Sequence, residues 1–399
     1  MHRTGSYLQI GCAFFGLFLI GLQVGVWGVV LPSLVLSYHI DQTILGLFFV
    51  ADTVGYFLGA SSYGAQLARW DLRRVFAGNA LLYALGALML GVKPPLIMAV
   101  GAQLLIGFGL GGLETGFSSF LAKLPHHTML LNLLYTCSGV GSLVGPPVAA
   151  TILAARWEWR GVYLMLCGLG LALLLSSSLA FRTPAQRVSV EISQQQPAGR
   201  MFFTILTHDR IWMIALFMTV YYGVMGGLSN WMYSFLLEDR HQPVFFSSGI
   251  ASGYWLSLTL SRFLFSWLSK QFQVGQVLWV YGSLGGIALC VCFIWIWSGG
   301  MGAAIGFCLM GICMGPLSPT VFSFVPHLVP KHMVSSAFGL ILAMSMVGFA
   351  PLPWLAGILI QHVGFSSFLP YLLLLIILML GLWGGIHLRT RRLVLVKSE

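Results

Sequence analysis

The chain has 399 residues, of which 58% are hydrophobic and only 8% are charged, and its formal net charge is +10. Soluble domains carry roughly a quarter charged residues, so this composition excludes a soluble protein and indicates an integral membrane protein embedded in a lipid bilayer. The basic excess is typical of membrane topology and of contact with anionic lipid, and we expect no nucleic-acid partner.

Twelve apolar stretches follow one another along the chain. A membrane-spanning helix needs about 20 mostly apolar residues. The sequence predicts such helices at 8–35, 43–66, 73–92, 95–121, 128–154, 161–181, 211–236, 246–268, 275–297, 300–325, 333–359 and 364–387. One long polar stretch, 182–210, separates an N-terminal six-helix bundle at 1–181 from a C-terminal six-helix bundle with a short basic tail at 211–399. We expect this stretch to be a cytoplasmic linker.

The lysine and arginine residues predict the orientation of these helices. An even number of spans puts both termini on one side, and that side carries 15 of the 20 lysine and arginine residues. Because basic residues are enriched in cytoplasmic loops, both termini are predicted to be cytoplasmic in a multi-pass protein of the cell membrane. The seven cysteines all fall within predicted helices, where we expect buried free thiols that act as small apolar fillers.

Short sequence motifs of the first half of the chain recur in the second half at a near-constant spacing. The Gly-x-x-x-Gly pair that begins at Gly107 in the fourth predicted helix recurs 204 residues later at Gly311 in the tenth. The PVAATIL that begins at Pro147 in the fifth recurs 206 residues later as the PWLAGIL that begins at Pro353. The sequence therefore predicts an all-α membrane fold of two six-helix bundles related as parallel repeats, with the solute site between the halves.

Three strings within this pattern resemble those of known transporters. The fourth predicted helix carries GLGGLETGFSSF with Glu114, the fifth carries LLNLLYTCSGVGSLVGPPVA with Asn132, and the seventh carries YYGVMGGLSNWMY with Trp231. On these motifs the chain resembles the major facilitator superfamily, and most closely its fucose-permease-like branch. Met225 stands where that branch has an acid, and Ser118 stands where it has Asn.

The resemblance implies a secondary transporter that moves a small organic solute by alternating access, coupled to protons, and in this branch a sugar-type symporter. The superfamily's loop between the second and third helices, which latches the two halves, reads GAQLARWDLRR here. Ala68 takes the place of its acid, while Arg69 and Arg73 are present as candidate gating residues. A proton-coupled exporter of apolar or drug-like compounds stays open, as do a transport-dead sensor and a lipid scramblase on the same fold.

Two acidic residues lie inside predicted membrane helices. A charge at membrane depth costs about 2.5–3.5 kcal/mol on insertion scales, so such residues usually face a wet, functional cavity. Desolvation favours the protonated form of a carboxyl group, which a proton-coupled carrier requires. Glu114 is therefore the main candidate for proton coupling, and Gly111 on the same helix face is predicted to leave room for water or ligand. Asp52 in the second helix is the second candidate.

The remaining polar and aromatic residues of the helices are candidates for solute binding or gating. Aromatic faces stack on sugar rings, and amides and hydroxyls hydrogen-bond to solute hydroxyl groups. We expect the solute to contact members of the following set: Gln23, Trp27, Ser118, Asn132, Tyr135, Tyr221, Asn230, Trp231 and Trp354. Arg262, in the eighth helix, is a candidate for gating or for an ion pair, and the sequence leaves open whether it pairs with Glu114 or Asp52.

Motifs for catalysis are absent from the sequence. It has no nucleotide-binding GxxxxGK[ST] loop, no HExxH metal motif and no GxSxG nucleophile elbow, so we expect no enzymatic activity, catalytic residue, cofactor or metal site. The expected partners are a small-molecule solute and protons, and the expected state is a monomer.

Overall fold

The structure is a computed structural model that describes residues 2–125, 127–181, 209–272, 276–328 and 334–396. These residues form fourteen α-helices: α1 (His2–Tyr38), α2 (Gln42–Arg69), α3 (Leu72–Gly91), α4 (Leu96–Leu121), α5 (His127–Ala154), α6 (Glu158–Ala180), α7 (Asp209–Ser234), α8 (Val244–Phe272), α9 (Gln276–Ile296), α10 (Gly300–Met314), α11 (Leu317–Leu328), α12 (Val334–Gly348), α13 (Pro351–Val363) and α14 (Phe368–Val396). A π-helical segment, Phe235–Asp239, continues α7, and a 3-10 turn, Phe365–Ser367, precedes α14. Residues 182–208 of the predicted linker lie outside the described part of the chain.

The lengths and apolar composition of these helices confirm the membrane class. Eleven helical stretches within the described ranges are long and apolar enough to cross a membrane. They match eleven of the twelve predicted spans. The remaining span, predicted at 246–268, corresponds to α8, which runs for 29 residues but is not among the eleven.

Two of the predicted spans are interrupted. The tenth becomes α10 and α11, separated by a turn at Gly315 and Pro316. The eleventh becomes α12 and α13, separated by a turn at Phe349 and Ala350 immediately before Pro351. The prediction of continuous helices was wrong at these places, because a proline has no backbone N–H with which to continue the helical hydrogen bonds.

In contrast, α5 stays continuous although Pro146 and Pro147 lie inside it. Pro147 leaves the carbonyl of Leu143 without its helical donor. The hydroxyl of Ser252 donates to that carbonyl at 2.7 Å. A neighbouring side chain therefore replaces the bond that Pro147 removes.

The described residues separate into two compact units. The first comprises the residues up to 181 with Ser229–Leu237 and Gln242–Ser252, and the second comprises 209–228, Glu238–His241 and the residues from Gly253 onward. α7 therefore contributes its first part to the second unit and its end to the first. The domain limits expected from the sequence, 1–181 and 211–399, stay a prediction.

Within the first unit, glycines bring pairs of helix backbones into close contact. A Cβ added at Gly55 on α2 would strike the backbone of Leu104 on α4, and one at Gly59 would strike that of Phe108. The facing residue numbers rise together, so α2 and α4 run parallel. α1 packs on α5 in the same way at Gly21. Small residues allow this approach in membranes, where no hydrophobic force drives helices together.

The packing of each unit reproduces the predicted repeat. Gly107 and Gly111 of α4 lie against the backbone of α2. Their counterparts, Gly311 in α10 and Gly315 directly after α10, lie against α8, where an added Cβ would sit 2.6 Å from a backbone carbonyl oxygen in each case. The same glycine pair therefore joins the second and fourth helices of each half.

Candidate functional site

Both candidate proton-carrying residues lie at the contact between α2 and α4. Asp52 is on α2, Glu114 is on α4, and both side chains are half-buried within the protein. Because the glycines bring the two backbones so close, each carboxyl group reaches a polar partner on the opposite helix.

The partner of Glu114 is Tyr56, whose hydroxyl donates a hydrogen bond to the carboxylate. Tyr56 lies on α2, one turn beyond Asp52. The prediction that Gly111 leaves open space beside Glu114 is wrong, because a Cβ at Gly111 would strike the backbone carbonyl of Tyr56. Gly111 therefore serves the close packing of α4 on α2.

The partner of Asp52 is Gln103 on α4. The Nε2 of Gln103 donates to Oδ1 of Asp52 at 2.8 Å, and Gln103 is only 1% exposed. One turn along α4, Gly107 lies against the backbone carbonyl of Asp52. Both acids are thus held by neutral hydrogen-bond donors.

Three aromatic side chains form a row of ring contacts within the first unit. The ring of Trp27 meets that of Phe49 edge-on at a centroid distance of 6.1 Å, and Phe49 meets Trp231 edge-on at 6.1 Å. All three are buried, as is Asn230 next to Trp231. The structure therefore brings two of the predicted tryptophans together through a phenylalanine.

Gln23 and Ser118 each meet a tyrosine hydroxyl. The buried Tyr83 of α3 donates to Oε1 of Gln23 at 3.3 Å. The hydroxyls of Ser118 on α4 and Tyr135 on α5 lie 3.3 Å apart. Tyr135 and Asn132, one turn apart on α5, are both exposed. Gln23 is thus tied into the helix packing, whereas the Ser118–Tyr135 pair lies at an open surface.

Arg262 lies in the second unit beside Tyr221. Its guanidinium donates to the Tyr221 hydroxyl, which donates in turn to the carbonyl of Met314 at 3.1 Å. Met314 is the last residue of α10, so these two side chains hold the chain where α10 and α11 are interrupted. The partner of Arg262 in the described structure is therefore a tyrosine. Trp354 lies half-buried on α13 of the same unit.

The two candidate gating arginines flank the turn between α2 and α3. Arg69 is the last residue of α2, Arg73 lies in the first turn of α3, and both are exposed. Asp71, at the N-cap of α3, makes no side-chain cap bond. The gating role of this loop stays a prediction.

The cysteines differ in their burial. Cys12, Cys167 and Cys290 are buried, whereas the other four are half-buried, so the prediction that all seven are buried is wrong. Cys290 on α9 and Cys313 on α10 make a thiol–thiol hydrogen bond. Among the residues that the structure describes, no group of three or more His, Cys, Asp or Glu side chains could hold a metal ion.

Sequence reasoning missed the partners that position the acids. Gln103 is a polar amide within an apolar run. Gln23 was chosen as a candidate by this same criterion, so the criterion would also have identified Gln103. Phe49 and Tyr83 carry no such signal, because aromatic residues are common in membrane helices. Their contacts depend on how the helices are rotated against each other.

The chain is similar to membrane transporters. The model of the Major Facilitator Superfamily matches residues 13–353. Bypass of stop codon protein 6 of Saccharomyces cerevisiae is 22% identical over 388 residues, which cover 90% of this chain and 78% of that protein. The Gallate transporter of Pseudomonas putida is 21% identical over 369 residues, which cover 82% of this chain and 80% of that protein. A Multidrug resistance protein B homolog of Mycobacterium tuberculosis is 26% identical over 164 residues, which cover 36% of this chain and 30% of that protein.

The fold is also that of a solved transporter. The structure of a bacterial homolog to the human lysosomal transporter Spinster, inward-facing and unoccupied, has a TM-score of 0.79 at 12% identity and covers 97% of both chains. The family match over most of the chain and the eleven apolar helical stretches of the described residues define a multi-pass membrane transporter of small solutes. The chain belongs to the Major Facilitator Superfamily. Its place in the fucose-permease-like branch stays a prediction.

Proposed function

We propose that the chain transports a small organic solute by alternating access and couples this movement to protons, with Glu114 as the main coupling group and Asp52 as the second. The observation that carries the proposal is the neutral partner of each acid, Tyr56 for Glu114 and Gln103 for Asp52. A carboxylate paired with a buried cation would leave that cation uncompensated on protonation. A carboxylate held by a hydroxyl or an amide takes up a proton without that cost.

The aromatic and hydroxyl groups of the first unit favour a solute that contains a ring. The Ser118–Tyr135 pair offers hydroxyls that donate or accept, and the buried rings of Trp27 and Trp231 would stack on a solute ring in a conformation that exposes them. A sugar could bind to these groups through its ring and its hydroxyls. So could an aromatic acid such as the one in the name of the Gallate transporter of Pseudomonas putida. Sugar-type symport remains the specific proposal, in a monomer of the cell membrane with cytoplasmic termini.

The test is solute-driven pH change in proteoliposomes that contain the purified protein. The panel contains monosaccharides, aromatic monocarboxylates including gallate, and lipophilic amines. We expect one class to drive proton movement in the direction of solute movement, and Glu114→Gln to abolish it. Transport that moves no protons in any class would contradict the coupling.

Export of apolar compounds is the second candidate. Met225, which replaces the acid of the fucose-permease-like pattern, is buried on α7, and the partial similarity to the Multidrug resistance protein B homolog favours the same class. In the same proteoliposomes, an exporter would move protons opposite to a lipophilic amine. The sign of the pH change therefore separates the two candidates.

A further inference from the structure

Polar side chains from several helices of the first unit interact with Asp52, either directly or through one another. Gln103 of α4 donates to its carboxylate at 2.8 Å. The charged form of Asp52 also acts electrostatically on the hydroxyls of Tyr83 on α3 and Tyr163 on α6. Tyr83 extends the cluster to α1, where it donates to Gln23 at 3.3 Å. We call these five residues the Asp52 cluster.

Two atoms of the Asp52 cluster lack hydrogen-bond partners in the described part of the chain. They are Oε1 of Gln103 and the hydroxyl oxygen of Tyr163. Both residues are only 1% exposed, so bulk water does not reach them. Buried polar atoms are nearly always hydrogen-bonded, and ordered internal water commonly supplies the missing partner. The two atoms therefore point to internal water beside Asp52.

The chemistry of Gln103 suits a carboxyl group that changes its protonation state. An ionised carboxylate only accepts hydrogen bonds, whereas a carboxylic acid also donates one. The amide of Gln103 has a donor, which now faces Asp52, and an acceptor without a partner. Rotation of the amide would present that acceptor to the proton of the acid. One side chain can thus satisfy both forms of Asp52.

The groups recorded as interacting with Asp52 from the neighbouring helices, among the described residues, are neutral. They are Gln103 on α4, Tyr83 on α3 and Tyr163 on α6. The cation nearest to Tyr163 along α6, Arg160, donates instead to the carbonyl of Gly91 at 3.1 Å. Protonation of Asp52 therefore breaks no ion pair recorded in the described residues.

We propose that the Asp52 cluster is a hydrated proton-holding site within the first unit, separate from the Glu114–Tyr56 pair, and that Gln103 is its positioning residue. The proposal deepens the proposed function, because it rests on a coupling role for Asp52. Internal water connected to Gln103 and Tyr163 delivers the proton to the carboxylate and removes it. Gln103 holds the carboxylate in both states.

The experiment compares Gln103→Leu with a matched loss of another interhelical amide, Gln66→Leu. Gln66 accepts from Asn79 at 2.7 Å and donates to Ser62 at 2.9 Å, away from Asp52. Infrared spectroscopy of the full-length protein across pH follows the carbonyl band of a protonated carboxyl group, and Asp52→Asn identifies the part due to Asp52. Transport is measured across the same pH range.

We expect Gln103→Leu to move the midpoint of the Asp52 band by about one pH unit towards alkaline pH, because the charged form loses its donor. The midpoint of transport should follow, and Gln66→Leu should leave both midpoints unchanged. Tyr163→Phe, which removes a single hydroxyl, should move the band in the same direction by less. If the Gln103→Leu protein does not reach the membrane, the Tyr163→Phe variant tests the proposal in its place.

Unchanged Asp52 bands in Gln103→Leu and Tyr163→Phe would overturn the inference, even if wild-type transport is proton-coupled. A shifted band in a protein that moves solute without protons would support the cluster as a proton site while the proposed function fails. The two claims are therefore tested separately.

Discussion

Glu114 illustrates how a single contact adapts a charged residue to the membrane. Placing a carboxylate at membrane depth costs about 2.5–3.5 kcal/mol on insertion scales. A hydrogen bond to a charged group contributes roughly 1.5–3 kcal/mol, so the bond from Tyr56 offsets a large part of this cost. The balance between the charged and the protonated form of Glu114 therefore depends on burial and, in the opposite sense, on the bond from Tyr56.

Tyr56→Phe tests this balance at one atom. The charged form of Glu114 loses its donor, so the acid retains its proton at higher pH, and the midpoint of transport should move by roughly one to two units towards alkaline pH. Tyr63→Phe is the control, because Tyr63 lies on the same helix two turns beyond Tyr56 and its ring packs against Gly116. Transport as a function of pH in proteoliposomes is the measurement. Equal midpoints in the two variants would show that Tyr56 has no such role.

Glycine positions in these helices are sensitive to substitution only where the backbones of two helices are in contact. On α4, a Cβ at Gly111 would strike α2, whereas a Cβ at Gly101 meets nothing within 4 Å. We expect Gly111→Ala to destabilise the protein by about 1–3 kcal/mol through overpacking. Gly101→Ala should be neutral or stabilising by up to about 1 kcal/mol, because alanine favours the helix. Thermal unfolding of the detergent-solubilised variants measures both, and equal effects would contradict the packing.

The contact between α9 and α10 offers a chemical test of register. Cys290 and Cys313 make a thiol–thiol hydrogen bond, and an added Cβ at Gly286, one turn away on α9, would lie 3.6 Å from the Cβ of Cys313. Molecular oxygen, with a copper–phenanthroline complex as catalyst, should therefore take two electrons and two protons from the two thiols and join them as a disulfide. Peptide mass spectrometry reads out the link.

Cys292 provides the internal control for that crosslink, because it shares α9 with Cys290 but lies two residues on and so points away. With Cys290→Ser, the link to Cys313 should disappear rather than move to Cys292. A Cys292–Cys313 link in the unsubstituted protein would contradict the α9–α10 register.

For the molecule as a whole, the spans and the repeat could be predicted from the sequence because they depend on local composition. About 20 apolar residues suffice to predict a span, and the Gly107 pair recurs at Gly311. The effect of each proline could not be predicted. At Pro147 the hydroxyl of Ser252 replaces the lost bond and the helix continues, whereas α10 ends just before Pro316.

The candidate site was predictable in part for a related reason. The sequence alone reveals an acid such as Glu114, because it stands within an apolar run. It does not reveal which residue is the hydrogen-bond partner of that acid. Whether that partner is Tyr56 or Arg262 depends on helix rotation and on contacts distant in sequence. The prediction of open space at Gly111 failed for the same reason, because the backbone of another helix fills that space.

Orientation in the membrane is a prediction for the whole molecule. The basic residues place the turn between α3 and α4 outside and that between α4 and α5 inside. A membrane-impermeant maleimide applied to intact cells should therefore label Lys93→Cys but not Lys123→Cys. Permeabilised cells should show labelling of both. The reverse pattern in intact cells would contradict the assignment of cytoplasmic termini.

The central claim is that protonation of Glu114 couples solute movement to the proton gradient. Its most direct test is solute accumulation driven by a pH gradient, measured beside solute exchange at equal pH, in the wild-type protein and Glu114→Gln. The variant resembles the protonated acid permanently, so it should lose gradient-driven accumulation and retain exchange. Accumulation by Glu114→Gln at the wild-type level would contradict the account.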